Sequence, residues 1–159
     1  VGGHETGKQG RSYDTKKAKA ICAIELTKNQ GIKRVYIQSI DDYSSSSLKG
    51  IFEAHISQTA QVTTDQWRGY GPLAKEYQIK QLKSAGGKNF IQIHTIIHQV
   101  KSWIRTTFAH VSKGHIQRYF DEYCFRINRS IYKETIFHKL IERVVAEKHF
   151  LYQKIKISS

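Results

Sequence analysis

Asp65 ends the run Gln61-Val62-Thr63-Thr64 and is followed at once by Gln66-Trp67-Arg68-Gly69-Tyr70. The segment therefore delivers one carboxylate from an apolar strand into an aromatic and basic turn. An acid placed there can hold a metal ion beside a polyanion, and a π-face next to a cation can stack unpaired bases. Each residue also has a plain structural reading. Asp65 could be a turn or cap aspartate, and Trp67 and Tyr70 could simply pack a short helix against a sheet. His94 and His98 have the i, i+4 spacing of a zinc pair, but Thr95-Ile96 stands where a metalloprotease helix needs its Glu, which argues against zinc. The paired acids Asp41-Asp42 precede a serine run and read as helix caps. Glu142 and Arg143 read as an ordinary solvated helix face.

The stretch Thr63–Tyr70 also resembles the Thr-Asp-x-Trp-x-Gly-Tyr signature around the second catalytic aspartate of ISXO-like transposases, a DDE-superfamily family encoded by bacterial insertion sequences. Val1-Gly2-Gly3 resembles the end of that family's Asp-Glu-x-x-Val-Gly-Gly signature, and Gly10-Arg11, Lys16-Lys17 and the strand Ala20–Glu25 resemble the segment after it. His94-Thr95-Ile96-Ile97-His98-Gln99-Val100-Lys101-Ser102-Trp103 is similar to the family's His-x-x-Ile-x-Asn-Leu-Lys-x-Trp helix. The segments Phe108–Tyr119 and Asp121–Arg129 resemble its closing blocks. Order and spacing agree over residues 1–130, which is far more specific than any one short motif.

The resemblance implies a ribonuclease H-like α/β fold, a mixed sheet with flanking helices and a helical C-terminal half, in which acids from several elements converge on divalent ions. Two ions roughly 3.5 to 4 Å apart clamp the attacking and leaving oxygens of one phosphodiester. Mg²⁺ (or Mn²⁺) takes oxygen ligands, which carboxylates and amide carbonyls supply. By resemblance Asp65 is the second acid, and Gln99 stands where the matching branch carries asparagine as third metal ligand. Those two are the candidate catalytic and metal-binding residues. A Gln is one methylene longer than an Asn, so Gln99 could equally be a solvated helix glutamine. The first aspartate is expected before Val1, since the sequence opens on the Val-Gly-Gly that follows it; Glu5 and Asp14 do not stand at its position. Trp67, Arg68, Tyr70, His94, Lys101 and Arg105 are the candidate DNA contacts. The activity implied is attack on phosphodiesters at element ends by water, then on target DNA by the freed 3′ hydroxyl. A catalytically inactive remnant that binds DNA or oligomerises is the alternative.

Composition supports a polyanionic partner independently. The 159 residues hold 26 Lys and Arg against 13 Asp and Glu, a formal net charge of +13. Such an excess gains free energy by displacing counterions from phosphates. No recognition helix or zinc finger offers a base-reading surface, so contact through the backbone is expected. An RNA-binding module is disfavoured because no aromatic strand of the Lys-Gly-Phe-x-Phe type is present. No apolar run approaches the roughly 20 residues that span a bilayer. Cys22 and Cys124 lack Cys-x-x-Cys partners and read as reduced core residues, which fits a cytoplasmic protein; the family resemblance implies that the cytoplasm is bacterial and the protein nucleoid-associated.

The elements that must position these residues follow from periodicity. A hairpin is expected from strands at about 18–26 and 32–40 around Asn29-Gln30-Gly31. Leu48, Ile51, Phe52 and Ile56 space a helix capped within Asp42–Ser47, before a strand at about 60–64. Pro72 opens a short helix, a strand follows at about 78–82, and Gly86-Gly87 separates off the helical half. There Ile93, Ile96, Ile97, Val100, Trp103 and Ile104 form one stripe, with His94, His98, Lys101 and Arg105 on another face. Ser112 is expected to cap a helix that buries Ile116, Tyr119, Phe120, Tyr123, Cys124 and Ile127. Residues 1–130 form the catalytic core in this reading, and 131–159 add a helix burying Ile136, Phe137, Leu140, Ile141, Val144 and Val145, then a basic tail.

Overall fold

A computed structural model describes residues 18–130 and 135–147. The Val1-Gly2-Gly3, Gly10-Arg11 and Lys16-Lys17 motifs and the tail beyond Phe150 lie outside these residues.

Strands β1 (Lys19–Leu26) and β2 (Ile32–Ile40) form the expected antiparallel hairpin, with Cys22 opposite Ile37. Its loop closes because Thr27 Oγ1 accepts from the Gly31 N–H at 3.0 Å while Gln30 takes a left-handed φ of 60°. Side chains alternate across the ribbon. Val35 and Ile37 enter one core with Ile96, Val100 and Phe120, whereas Ile21 and Ile40 enter a second core with Leu48, Ile51 and Phe52. The hairpin is thus the shared wall of two cores, with helix α1 (Ser45–His55) on one face and helices α2 (Ile91–Thr107) and α3 (Ile116–Arg129) on the other.

Helix α1 starts where the serine run predicts. Ser44 caps it by accepting from the Ser47 N–H, and Asp42 Oδ1 accepts from the Ser44 N–H at 2.9 Å and the Ser47 hydroxyl at 2.7 Å. Strand β3 (Gln61–Thr64) then pairs in parallel with β4 (Gln78–Gln81), the crossover running through two short 3₁₀ turns at Arg68–Tyr70 and Leu73–Lys75.

Three expectations are corrected. The strands form two separate two-stranded sheets, β1–β2 and β3–β4, in place of one mixed sheet. Both rest on α1 and share the second core, with Ile21 from one and Val62 and Ile79 from the other packed there, so side chains and not backbone pairing join them. Ser112 does not cap α3: its Oγ meets His115 Nδ1 at 3.1 Å and a 3₁₀ turn, Lys113–His115, precedes the helix. The last helix forms, α4 (Ile136–Ala146), but its stripe is not buried. Phe137, Ile141, Val144 and Val145 are 65%, 48%, 73% and 80% exposed.

Candidate functional site

The turn around Asp65 is fastened from three sides. Asp65 Oδ1 accepts from the Trp67 N–H at 3.2 Å, closing an Asx-type turn at the end of β3. Gln81, at the end of β4, donates from Nε2 to the Trp67 carbonyl at 3.0 Å and to the Asp65 carbonyl at 3.3 Å. Trp67 Nε1 donates to the Tyr43 carbonyl at 2.8 Å, and Ser45 Oγ donates to the Gly69 carbonyl at 2.6 Å, tying the turn to the start of α1. Gly69 is required by this closeness: a Cβ there would stand 2.7 Å from both Trp67 Nε1 and the Tyr43 carbonyl oxygen. Asp65 is half-buried and Arg68 is exposed.

Trp67 and Tyr70 therefore do the packing work. Both are half-buried against the second core, where Tyr70 tilts against Phe52 with ring centroids 6.2 Å apart. The Arg68 guanidinium lies 5.8 Å from the centroid of Trp67, so the turn still presents one cation backed by an aromatic ring.

Helix α2 carries the other candidates on two different faces. Ile96, Val100 and Ile104 are buried, and His94, His98, Lys101 and Arg105 form an exposed stripe at helical spacing. The ring of His94 packs over Gly87, whose φ of +91° and whose missing Cβ, 3.2 Å from the ring, both suit glycine. Lys83 and Lys88, exposed just before α2, add cations that sequence reasoning passed over. Gln99 lies roughly a third of the way round the helix from the basic stripe, at 100° per residue. Its Oε1 accepts from the Tyr123 hydroxyl of α3 at 3.1 Å.

Tyr123 and Gln81 also take part in this region without a signal in the sequence. Tyr123 belongs to the buried stripe of α3, and its ring does pack there, beside Trp103. Only the hydroxyl reaches a candidate ligand. No sequence signal distinguishes that reach from ordinary packing.

Among the described residues no group of three or more His, Cys, Asp or Glu could hold a metal ion. Asp65 and Gln99 supply one carboxylate and one carboxamide whose carbonyl already accepts a hydrogen bond. That set falls short of the converging acids a two-ion site needs.

The described residues thus form an α/β arrangement with a strand-end aspartate, a basic aromatic turn and a basic, exposed helix face. The family model of the ISXO2-like transposase domain matches residues 1–128, and the chain belongs to that family. No curated protein and no solved structure matches it. No helix among the described residues is long and apolar enough to cross a membrane.

Proposed function

We propose that the chain is the catalytic-domain portion of a DNA transposase of ribonuclease H-like design. It engages DNA through phosphate contacts from the exposed stripe His94, Lys101 and Arg105 and from Arg68, with Trp67 and Tyr70 holding the Arg68 turn against α1. The observation that carries this reading is the division of α2. One face is buried in the core, another is basic and exposed, and the helix belongs to the block that matches the family. Asp65 and Gln99 are the groups it would contribute to a Mg²⁺ or Mn²⁺ site, and they need at least one further carboxylate to do so. Element ends and target DNA are the substrates, in a bacterial cytoplasm.

A second reading, a remnant that binds DNA without cutting it, draws on the Tyr123–Gln99 hydrogen bond, which occupies the carbonyl a metal would use. Metal titration and strand-transfer assays on the 159-residue chain separate the two. We expect no Mg²⁺- or Mn²⁺-dependent strand transfer by this chain. Adding an Asp-Glu segment before Val1 should raise metal affinity, and Gln99→Asn should raise it further, because an octahedral ion tolerates little displacement of a ligand. Metal-dependent cleavage by the unmodified chain, abolished by Asp65→Ala, would show that the residues present suffice. No gain after both repairs would leave the remnant.

A further inference from the structure

Side chains of α3 close the edge of β2 that faces away from β1. The Val35 N–H donates to Asn128 Oδ1 at 2.7 Å, and the Val35 carbonyl accepts from Asn128 Nδ2 at 2.8 Å. Gln117 repeats the arrangement further along, accepting from the Ser39 N–H at 2.7 Å and donating to the Ile37 carbonyl at 3.1 Å. An extended peptide adding itself to this edge would find those ladder positions taken.

Beside the braced edge, residues of α1, β2 and α3 line a cleft of about 650 Å³, within the range of small-ligand sites. Two flat pairs belong to its lining. Tyr36 of β2 stacks on His55 of α1 with ring centroids 4.1 Å apart and 12° between the planes. The Arg129 guanidinium lies 3.6 Å from the centroid of the Phe125 ring, both on α3. Two polar side chains complete the set, Gln38 and Asp121. Asp121 Oδ1 accepts from Gln117 Nε2 at 2.7 Å, and among the described residues no donor is bonded to Oδ2. None of the lining residues belongs to the Asp65 turn or to the basic stripe of α2.

We propose that this cleft receives an unpaired, amino-bearing base of single-stranded DNA. That the strand is DNA rests on the function proposed above, whereas the mode of recognition rests on the cleft itself. A planar ring finds π-faces in the Tyr36–His55 and Phe125–Arg129 pairs, which is how single strands are held without pairing. Arg129 adds a cation suited to a phosphate oxygen. Asp121 supplies the selection, because a carboxylate accepts from the exocyclic amine of cytosine. Thymine offers it only one N–H, set between two carbonyls that repel the charge.

Fluorescence anisotropy of the 159-residue chain with short oligo(dC) and oligo(dT) tests this. Oligo(dC) should bind about fivefold more tightly. Asp121→Ala should weaken oligo(dC) binding about fivefold and erase the preference, although the loss of a negative charge by itself strengthens binding to any DNA. His55→Ala should weaken both oligonucleotides about tenfold. Both side chains are exposed, so circular dichroism should show both variants folded. Equal affinity for the two oligonucleotides overturns the proposal, as does tighter binding of both by Asp121→Ala, since charge alone then acts. Free dCMP bound as tightly as oligo(dC) would make the ligand a nucleotide and overturn the strand. Neither variant should change duplex affinity. Reversing Lys101 and Arg105 to Glu should weaken duplex binding and leave the oligo(dC) to oligo(dT) ratio intact. A ratio of one with normal duplex binding therefore refutes the cleft alone, and duplex affinity unmoved by that reversal refutes the α2 face alone.

Discussion

Asp65, Trp67 and Gly69 form one mechanical unit, and its tightest member is the residue without a side chain. Gly69→Ala would push a methyl into the Trp67 ring and the Tyr43 carbonyl, each 2.7 Å from the new Cβ. Overpacking of this kind costs about 1–3 kcal/mol, so the melting temperature should fall by several degrees while Gly71→Ala, with only the Arg68 carbonyl near its Cβ at 3.3 Å, changes it less. Equal effects would refute the close fit. Asp42 offers a pH test. Hydrogen bonds from the Ser44 and Ser47 side chains and the Ser44 N–H lower its carboxyl from the usual 3.8 to about 2. A carboxyl depressed in the folded state stabilises above its ordinary value and loses that stabilisation as pH falls through about 2. Carboxyl NMR should place the midpoint near 2, and Ser44→Ala/Ser47→Ala should return it toward 3.8; an unmoved midpoint would remove the serines as the cause. The thiols run the other way. Burial pushes Cys22 up to about 12 and Cys124 up to about 11. Both should alkylate slowly at neutral pH in the folded chain and quickly in denaturant.

Elements follow their sequence where a single period decides them and depart where a partner outside the period decides. The hairpin bounds were readable because strand alternation meets a left-handed turn at Gln30, and α1 was readable from Ser44 and the Leu48–Ile51–Phe52 stripe. Ser112 misled because a hydroxyl serves as well in a 3₁₀ turn, where His115 takes it. The stripe of α4 gives its helical period but not its partner, since amphipathicity records that a face prefers burial without supplying a surface to cover it. A single mixed sheet is what the family resemblance implies, and the order of elements is compatible with it. The observed division into two sheets depends on which strand edges meet, and element order does not encode that. The amide brace on β2 was equally illegible, because Asn128 and Gln117 lie more than 75 residues from the strand they close. Asn128→Ala should therefore cost about 1–3 kcal/mol, the penalty for leaving the N–H and carbonyl of the buried Val35 unpaired. Asn128→Asp, which can accept but not donate, should recover part of the loss in urea unfolding. A neutral Asn128→Ala would show that water replaces the amide.

At the scale of the molecule, charge decides more than shape. The excess of +13 was visible in the composition, but its placement was not; the fold spends part of it on pairs, such as Lys33 with Glu25 and Arg126 with Glu122, and leaves Lys101 and Arg105 on an exposed helix face. Binding through such a face is mostly counterion release, so affinity should fall steeply and linearly on a log–log plot against salt, with little preference among duplex sequences. Reversing Lys101 and Arg105 to Glu should weaken all duplexes alike and flatten the salt slope by about two phosphate contacts. Reversing Lys33 and Arg34, which stand beside Glu25 on the hairpin, should do less, because part of their charge is already compensated there. Fluorescence anisotropy across a salt series measures both slopes on the same oligonucleotides. If the hairpin pair flattens the slope and the α2 pair does not, the phosphate track runs along β2. The basic face of α2 would then be a solubilising surface, and with it would go the argument that links Gln99's helix to DNA.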